Sequence, residues 1–122
     1  MSNRPRVAIT MGDAAGIGPE ITVKALADPR ATQWCIPLVL GDARVLEKAM
    51  EATGVRLPIR RIARPGDALG TPGTVEVIDS ASIDMAIHRW GVVTPAFGEA
   101  AVGWTKDAGR FCLDGSIDAM VS

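Results

Sequence analysis

Apolar and polar positions alternate at the start of the chain. Val7, Ile9 and Met11 interleave with Ala8 and Thr10, and all five tolerate burial, which predicts a first strand covered on both faces. A glycine-rich stretch from Gly12 to Gly18 follows at once, and Pro19 suits the first position of a helix because its missing N–H is not needed there. Ile21, Ala25 and Leu26 give that helix an apolar stripe, and Asp28–Pro29 ends it. Ile36 to Leu40 is a second apolar run closed by Gly41. Asp42 then caps a helix with Val45, Leu46, Ala49 and Met50 on one face, stopped by Gly54.

The pattern loosens in the middle. Val55 to Ile62 reads as a strand broken by Pro58, which favours a sheet edge. Arg64 to Gly73, with its prolines and glycines, reads as a loop. Thr74 to Ile78 alternates again around Val75 and Val77. Residues 80–93 are ambiguous: Ile83, Ala86 and Ile87 allow a short helix that Trp90–Gly91 ends. Thr94 caps a longer helix with Pro95 at its first position and Phe97, Ala101, Trp104, Ala108 and Phe111 on one face. Gly98, Gly103 and Gly109 weaken that helix intrinsically, so close packing against a neighbour is expected there. Asp114–Gly115 makes a turn, and Ile117, Ala119 and Val121 begin one more strand.

Strands alternating with helices across short connections predict an α/β fold, a mostly parallel sheet with flanking helices. Composition agrees. Hydrophobic residues are 48% of the 122 and charged residues 22%, which fits a packed domain, and with aromatics at 4% the small aliphatic residues must fill the core. A net charge of −1 gives no reason to expect nucleic acid or an anionic membrane as partner. Arg56, Arg60, Arg61 and Arg64 form the densest positive stretch and read as a solvated surface. No apolar run reaches the about 18 residues of a membrane span, and no signal peptide is evident. The expected location is the cytoplasm, where Cys35 and Cys112 would be free thiols.

One stretch carries candidate chemistry. Three glycines between a strand and a helix let the backbone turn sharply and let a ligand approach it, and N–H groups at a helix start favour a phosphate. The candidate cofactor-facing residues are Gly12, Asp13, Gly16, Ile17 and Gly18. The stretch is not a Walker loop, lacking the Lys and Ser or Thr. It also fails the dinucleotide fingerprint, since no Gly stands three residues after Gly18. A sharp strand-to-helix turn with no ligand remains open on these grounds. Asp13 can either cap the turn or aim a carboxylate at a ligand. His88, the only histidine, reads as a surface or capping residue, and a metal site would need further ligands that the spacing does not supply. Asp79, Asp84, Asp114 and Asp118 read as turn and cap residues, and Met50, Trp90 and Trp104 as core or dimer packing. No catalytic residue and no metal ligand is assigned.

The string Gly12-Asp13-Ala14-Ala15-Gly16-Ile17-Gly18-Pro19-Glu20 resembles the N-terminal signature of the 4-hydroxythreonine-4-phosphate dehydrogenase family. A second likeness lies at Ala96, Gly98, Ala100 and Ala101, followed by Gly115 to Ser122, which resemble the helix and strand leading into that family's substrate site. The resemblance implies an isocitrate/isopropylmalate dehydrogenase-like fold, of which residues 1–122 are an N-terminal portion, truncated before the chemistry. It implies a homodimer using NAD or NADP and a divalent metal. Hydride leaves a carbinol carbon of a small phosphorylated substrate, and the 3-oxo acid product loses carbon dioxide. The family's metal-binding histidines and phosphate-binding residues are expected beyond residue 122, leaving these residues inactive alone. The family usually carries Pro where this chain has Ala14, and it includes relatives acting on other phosphorylated hydroxy acids and on aromatic dihydrodiols. The competing readings are a stand-alone nucleotide- or phosphate-binding module and a structural or dimerisation domain.

Overall fold

The computed structural model describes residues 4–122. Five strands form one parallel sheet: β1 (Arg6–Thr10), β2 (Ile36–Gly41), β3 (Ile59–Arg61), β4 (Val75–Asp79) and β5 (Ala119–Val121). Their spatial order is β3-β4-β2-β1-β5. Ala8 stands opposite Leu38 on one side and Met120 on the other, and Leu40 stands opposite Ile78. The helices are α1 (Gly18–Ala27), α2 (Arg30–Trp34), α3 (Ala43–Thr53) and α4 (Pro95–Asp114). The chain runs from β1 toward β4 and then returns past β1 to β5. Right-handed crossovers therefore put α1 and α3 on one face and α4 on the other. The packing agrees: α1 lies on α3, while α4 lies across β1, β2 and β5.

The core is built on β2, every residue of which is buried. In β1, Ala8 and Thr10 are buried, whereas Val7 and Ile9 keep partial exposure. α3 follows its pattern closely. The Asp42 carboxylate accepts the Arg44 N–H at 2.9 Å, Val45, Leu46, Ala49 and Met50 are buried, and Gly54 closes the helix at φ 73°. β3 is shorter than the expected run and occupies the sheet edge beside Pro58. A single 3₁₀ turn, Pro65–Asp67, interrupts the loop beyond it. Arg56 and Arg64 are exposed as expected. Arg60 and Arg61 are exposed as well, and also pair with Glu76 at 2.5 Å and Asp79 at 3.0 Å.

Three expectations need correction, and one open stretch, residues 80–93, is decided. The buried stripe of α1 is Pro19, Thr22, Val23 and Leu26, while Ile21 and Ala25 face solvent. Thr22 qualifies for burial because its hydroxyl donates to the Gly18 carbonyl at 2.8 Å and so hides no unpaired polar group. The short α2 follows Asp28–Pro29, where no helix was expected. Asp28 accepts the Arg30 N–H at 2.9 Å and pairs with its guanidinium. Residues 80–93 form turns rather than a helix, because Asp79 and Asp84 accept the N–H groups of Ala81 and Ala86 two residues on. Among the described residues Gly98, Gly103 and Gly109 have no close neighbour: a Cβ at any of them meets no heavy atom within 4 Å beyond its own helix backbone. α4 is held instead by its other face, with Phe97, Trp104 and Ala108 buried.

Candidate functional site

The glycine turn leaves the carboxyl end of β1, a central strand, at the sheet edge where ligands of parallel α/β folds bind. Met11 extends the strand by donating its N–H to Leu40 at 3.1 Å. Gly12 then reverses the chain at φ 78°, a conformation that costs a side-chain-bearing residue energy. The Asp13 carboxylate accepts the Ala15 N–H at 2.8 Å, and the Asp13 carbonyl accepts the Gly16 N–H at 3.0 Å. Of the two roles open to Asp13, capping the turn is the one this geometry uses. At Gly18 a Cβ would lie 2.1 Å from the Met11 carbonyl oxygen, so only glycine lets α1 start this close to β1. Gly16 has more room, with the Asp13 carbonyl oxygen 3.4 Å from a would-be Cβ.

The five candidate residues are brought together as one turn, with Gly12, Asp13, Gly16 and Gly18 partly exposed and Ile17 the most open. Ala14 and Ala15, in the middle, are buried, whereas Ile17 is 73% exposed. Ile17 is also the residue before α1, and no side chain caps the helix there. The first-turn N–H groups of α1, those of Gly18 and Glu20 since Pro19 has none, thus have no side-chain cap, a feature suited to an anion.

His88 lies against this turn, and its expected place at the surface is wrong. The ring is fully buried. Nε2 lies 2.6 Å from the Ala14 carbonyl oxygen, and Nδ1 lies 2.8 Å from Lys48 Nζ. A carbonyl only accepts and an ammonium only donates, so the imidazole carries its proton on Nε2 and accepts at Nδ1. Lys48 Nζ also donates to the His88 carbonyl at 3.0 Å. Trp90 meets the imidazole edge-on at 4.7 Å between centroids, and Phe97 lies at 5.7 Å. Three residues along, Gly91 donates its N–H to the Ala15 carbonyl at 2.8 Å. The sequence offered little to find this: His88 joins the turn across 74 residues and Lys48 across 40.

The neighbouring carboxylates are spent on structure, Asp79 and Asp114 in the turns and caps that were expected and Asp118 instead in a bond across to β1. Asp79 accepts N–H groups of Ala43 and Ala81, Asp114 that of Ser116, and Asp118 that of Arg6. Asp42 is buried and accepts from Arg44 and from Ile83 N–H at 3.0 Å. Burial pushes its carboxyl up, but the Arg44 guanidinium and the two amides outweigh that and hold it below the usual carboxylate range. Among the described residues no group of three or more His, Cys, Asp or Glu side chains could hold a metal ion. These residues therefore do not fit a metal centre. Met50 and Trp104 are core residues, and Trp104 donates its indole N–H to the Ser80 hydroxyl at 3.2 Å. Cys35 and Cys112 are free and half-buried, and burial pushes the Cys35 thiol up. Beside the turn, Thr10 Oγ1 lies 2.9 Å from Ser122 Oγ, tying β1 to the end of β5.

Residues 33–122 match the family model described as pyridoxal phosphate biosynthetic protein PdxA. A protein described as a D-threonate 4-phosphate dehydrogenase from Symbiobacterium thermophilum is 43% identical across the whole of this chain, which spans 36% of that protein. A 4-hydroxythreonine-4-phosphate dehydrogenase from Desulforapulum autotrophicum is 37% identical over 98% of this chain and 35% of its own length. The crystal structure of a 4-hydroxythreonine-4-phosphate dehydrogenase from Burkholderia phymatum superposes with a TM-score of 0.92 at 39% identity, covering 98% of this chain and 36% of that one. The chain thus spans little more than a third of the length of these relatives.

Proposed function

The chain belongs to the PdxA family of pyridoxal phosphate biosynthetic proteins, and from that premise we propose that it forms the turn-bearing part of an NAD- or NADP-dependent dehydrogenase. Its substrate is 4-hydroxythreonine 4-phosphate or a related phosphorylated hydroxy acid such as D-threonate 4-phosphate. The observation that carries this reading is the identity of 43% and 37% to two dehydrogenases named for such substrates, along essentially the whole chain. In this reading the 3-oxo product loses carbon dioxide. The nicotinamide, when bound, accepts the hydride.

The part of these residues is to shape the binding cleft. Gly12, Asp13, Gly16, Ile17 and Gly18 form its floor, and the uncapped N–H groups at the start of α1 receive a phosphate of cofactor or substrate. A divalent metal would be held by residues outside this chain, since none of the described side chains cluster as ligands. Residues 1–122 alone are accordingly inactive. The same reading makes the working enzyme a cytoplasmic homodimer acting on a small molecule, without nucleic acid or membrane. A net charge of −1 and the lack, among the described residues, of a helix long and apolar enough to cross a membrane are in keeping with this.

The test is Gly16→Val in the enzyme at the length of its relatives. A Cβ there meets only Asp13, its carbonyl oxygen at 3.4 Å, an ordinary contact, so the variant adds bulk to the turn at little cost to its backbone. The Michaelis constant for NAD(P) or for the phosphorylated acid is expected to rise by about tenfold or more, equivalent to about 1.4 kcal/mol of lost binding. Unchanged Michaelis constants and turnover would leave the turn purely structural.

A further inference from the structure

We propose that His88 and Lys48 are positioning residues for the glycine turn: the imidazole, oriented by the ammonium, sets the peptide planes from which the turn presents its outer backbone to a ligand. This rests on the reading of the turn as ligand-facing.

The geometry concerns two consecutive peptide groups. The peptide joining Ala14 to Ala15 gives its carbonyl to His88 Nε2–H and its N–H to the Asp13 carboxylate. The peptide joining Ala15 to Gly16 gives its carbonyl to Gly91 N–H and its N–H to the Asp13 carbonyl. All four polar groups are engaged, two of them by residues 88 and 91 of a segment with no regular structure of its own. Neither peptide can rotate without breaking bonds at both ends.

A wholly buried imidazole is a costly way to fill space, since both ring nitrogens need partners. A leucine or phenylalanine would pack between Trp90 and Phe97 without that demand. What the imidazole adds is direction. Its N–H fixes the Ala14 carbonyl, and Lys48 fixes the imidazole by donating to Nδ1 and to the His88 carbonyl. With Lys48 on α3, the turn is referenced to a rigid element rather than to the loop alone.

The experiment compares His88→Leu, His88→Gln and Lys48→Met in the enzyme at the length of its relatives. It measures Michaelis constants and turnover with NAD(P) and 4-hydroxythreonine 4-phosphate, together with amide hydrogen exchange of the peptide spanning residues 11–20. His88→Leu is expected to raise one Michaelis constant by about tenfold while turnover changes less than about threefold. Exchange at residues 15 and 16 should quicken. His88→Gln, which retains an N–H donor and an acceptor, should recover most of both effects. Lys48→Met should shift them in the direction of leucine and serves as the reading if His88→Leu fails to fold. A lower melting temperature with unchanged Michaelis constants and unchanged exchange overturns the proposal, because the imidazole is then only packing. If the unsubstituted enzyme binds no NAD(P) and turns over neither phosphorylated acid, the dehydrogenase reading fails by itself. Hydrogen exchange at residues 15 and 16 then decides alone: quickened exchange in His88→Leu upholds the positioning role, and unchanged exchange overturns it.

Discussion

Asp42 concentrates several tasks in one buried carboxylate. It caps α3, accepts the Ile83 N–H from the segment after β4, and pairs with Arg44 at 2.9 Å. Asp42→Ala should cost about 2 kcal/mol, since a cap and a buried acceptor are lost together. The pH dependence has a definite sign. The folded carboxyl lies below its ordinary value of about 3.9, so the contribution is complete above about pH 4 and fades as pH falls through the folded value. Urea unfolding of the native and Asp42→Asn chains should therefore differ more at pH 7 than at pH 3. The capping role of Asp42 was legible because it is local: an aspartate directly before an apolar stripe states a helix start. The bond to Ile83 was not, since that residue stands 41 positions away. His88 is the extreme of the same contrast. Its identity is visible in the sequence, but its meaning depends on a carbonyl 74 residues distant.

Among the elements, α3 matched its pattern because every inward position is aliphatic. α1 did not, because one inward position is Thr22, whose hydroxyl is satisfied within the helix. A polar-by-name residue shifted the apparent stripe onto Ile21, which is exposed. Residues 80–93 carried too weak a periodicity to decide, and their aspartates settled the matter in favour of turns. In α4 the glycines misled for another reason: glycine in a helix suggests a close neighbour, yet here the space beside each is open. Gly103→Ala should accordingly stabilise the chain by about 0.5–1 kcal/mol, since it restricts the unfolded chain and strains nothing in the helix. A thermal melt should show the midpoint rising by a few degrees, about 2–8 °C for a domain of this size.

For the molecule as a whole, the α/β class and the parallel sheet were legible from the alternation of strands and helices. The strand order was not, because pairing of β1 with β5 leaves no local trace. The two sheet edges differ in character. Both are three residues long with one neighbour each, but β3 carries Arg60 and Arg61 beside Pro58, whereas β5 is wholly apolar and exposes Ala119 and Val121. Stability should grade across the sheet accordingly. Amide exchange at Ala119–Val121 is expected to be at least about a hundredfold faster than at Ile36–Gly41. Equal protection of the two strands would mean that the sheet opens only as one unit.

The tie between the ends of β1 and β5 also has a history in time. Arg6 meets Asp118, and Thr10 meets Ser122, each across 112 residues. At about 5–20 residues per second, a ribosome needs roughly 6–22 s to travel from one partner to the other. For that interval the nascent β1 stands with one flank open, beside a glycine turn whose clamp at His88 follows Ala14 by 74 residues. The candidate ligand site is thus complete only after residues 88 and 91 have followed, although its own residues are among the first to be made.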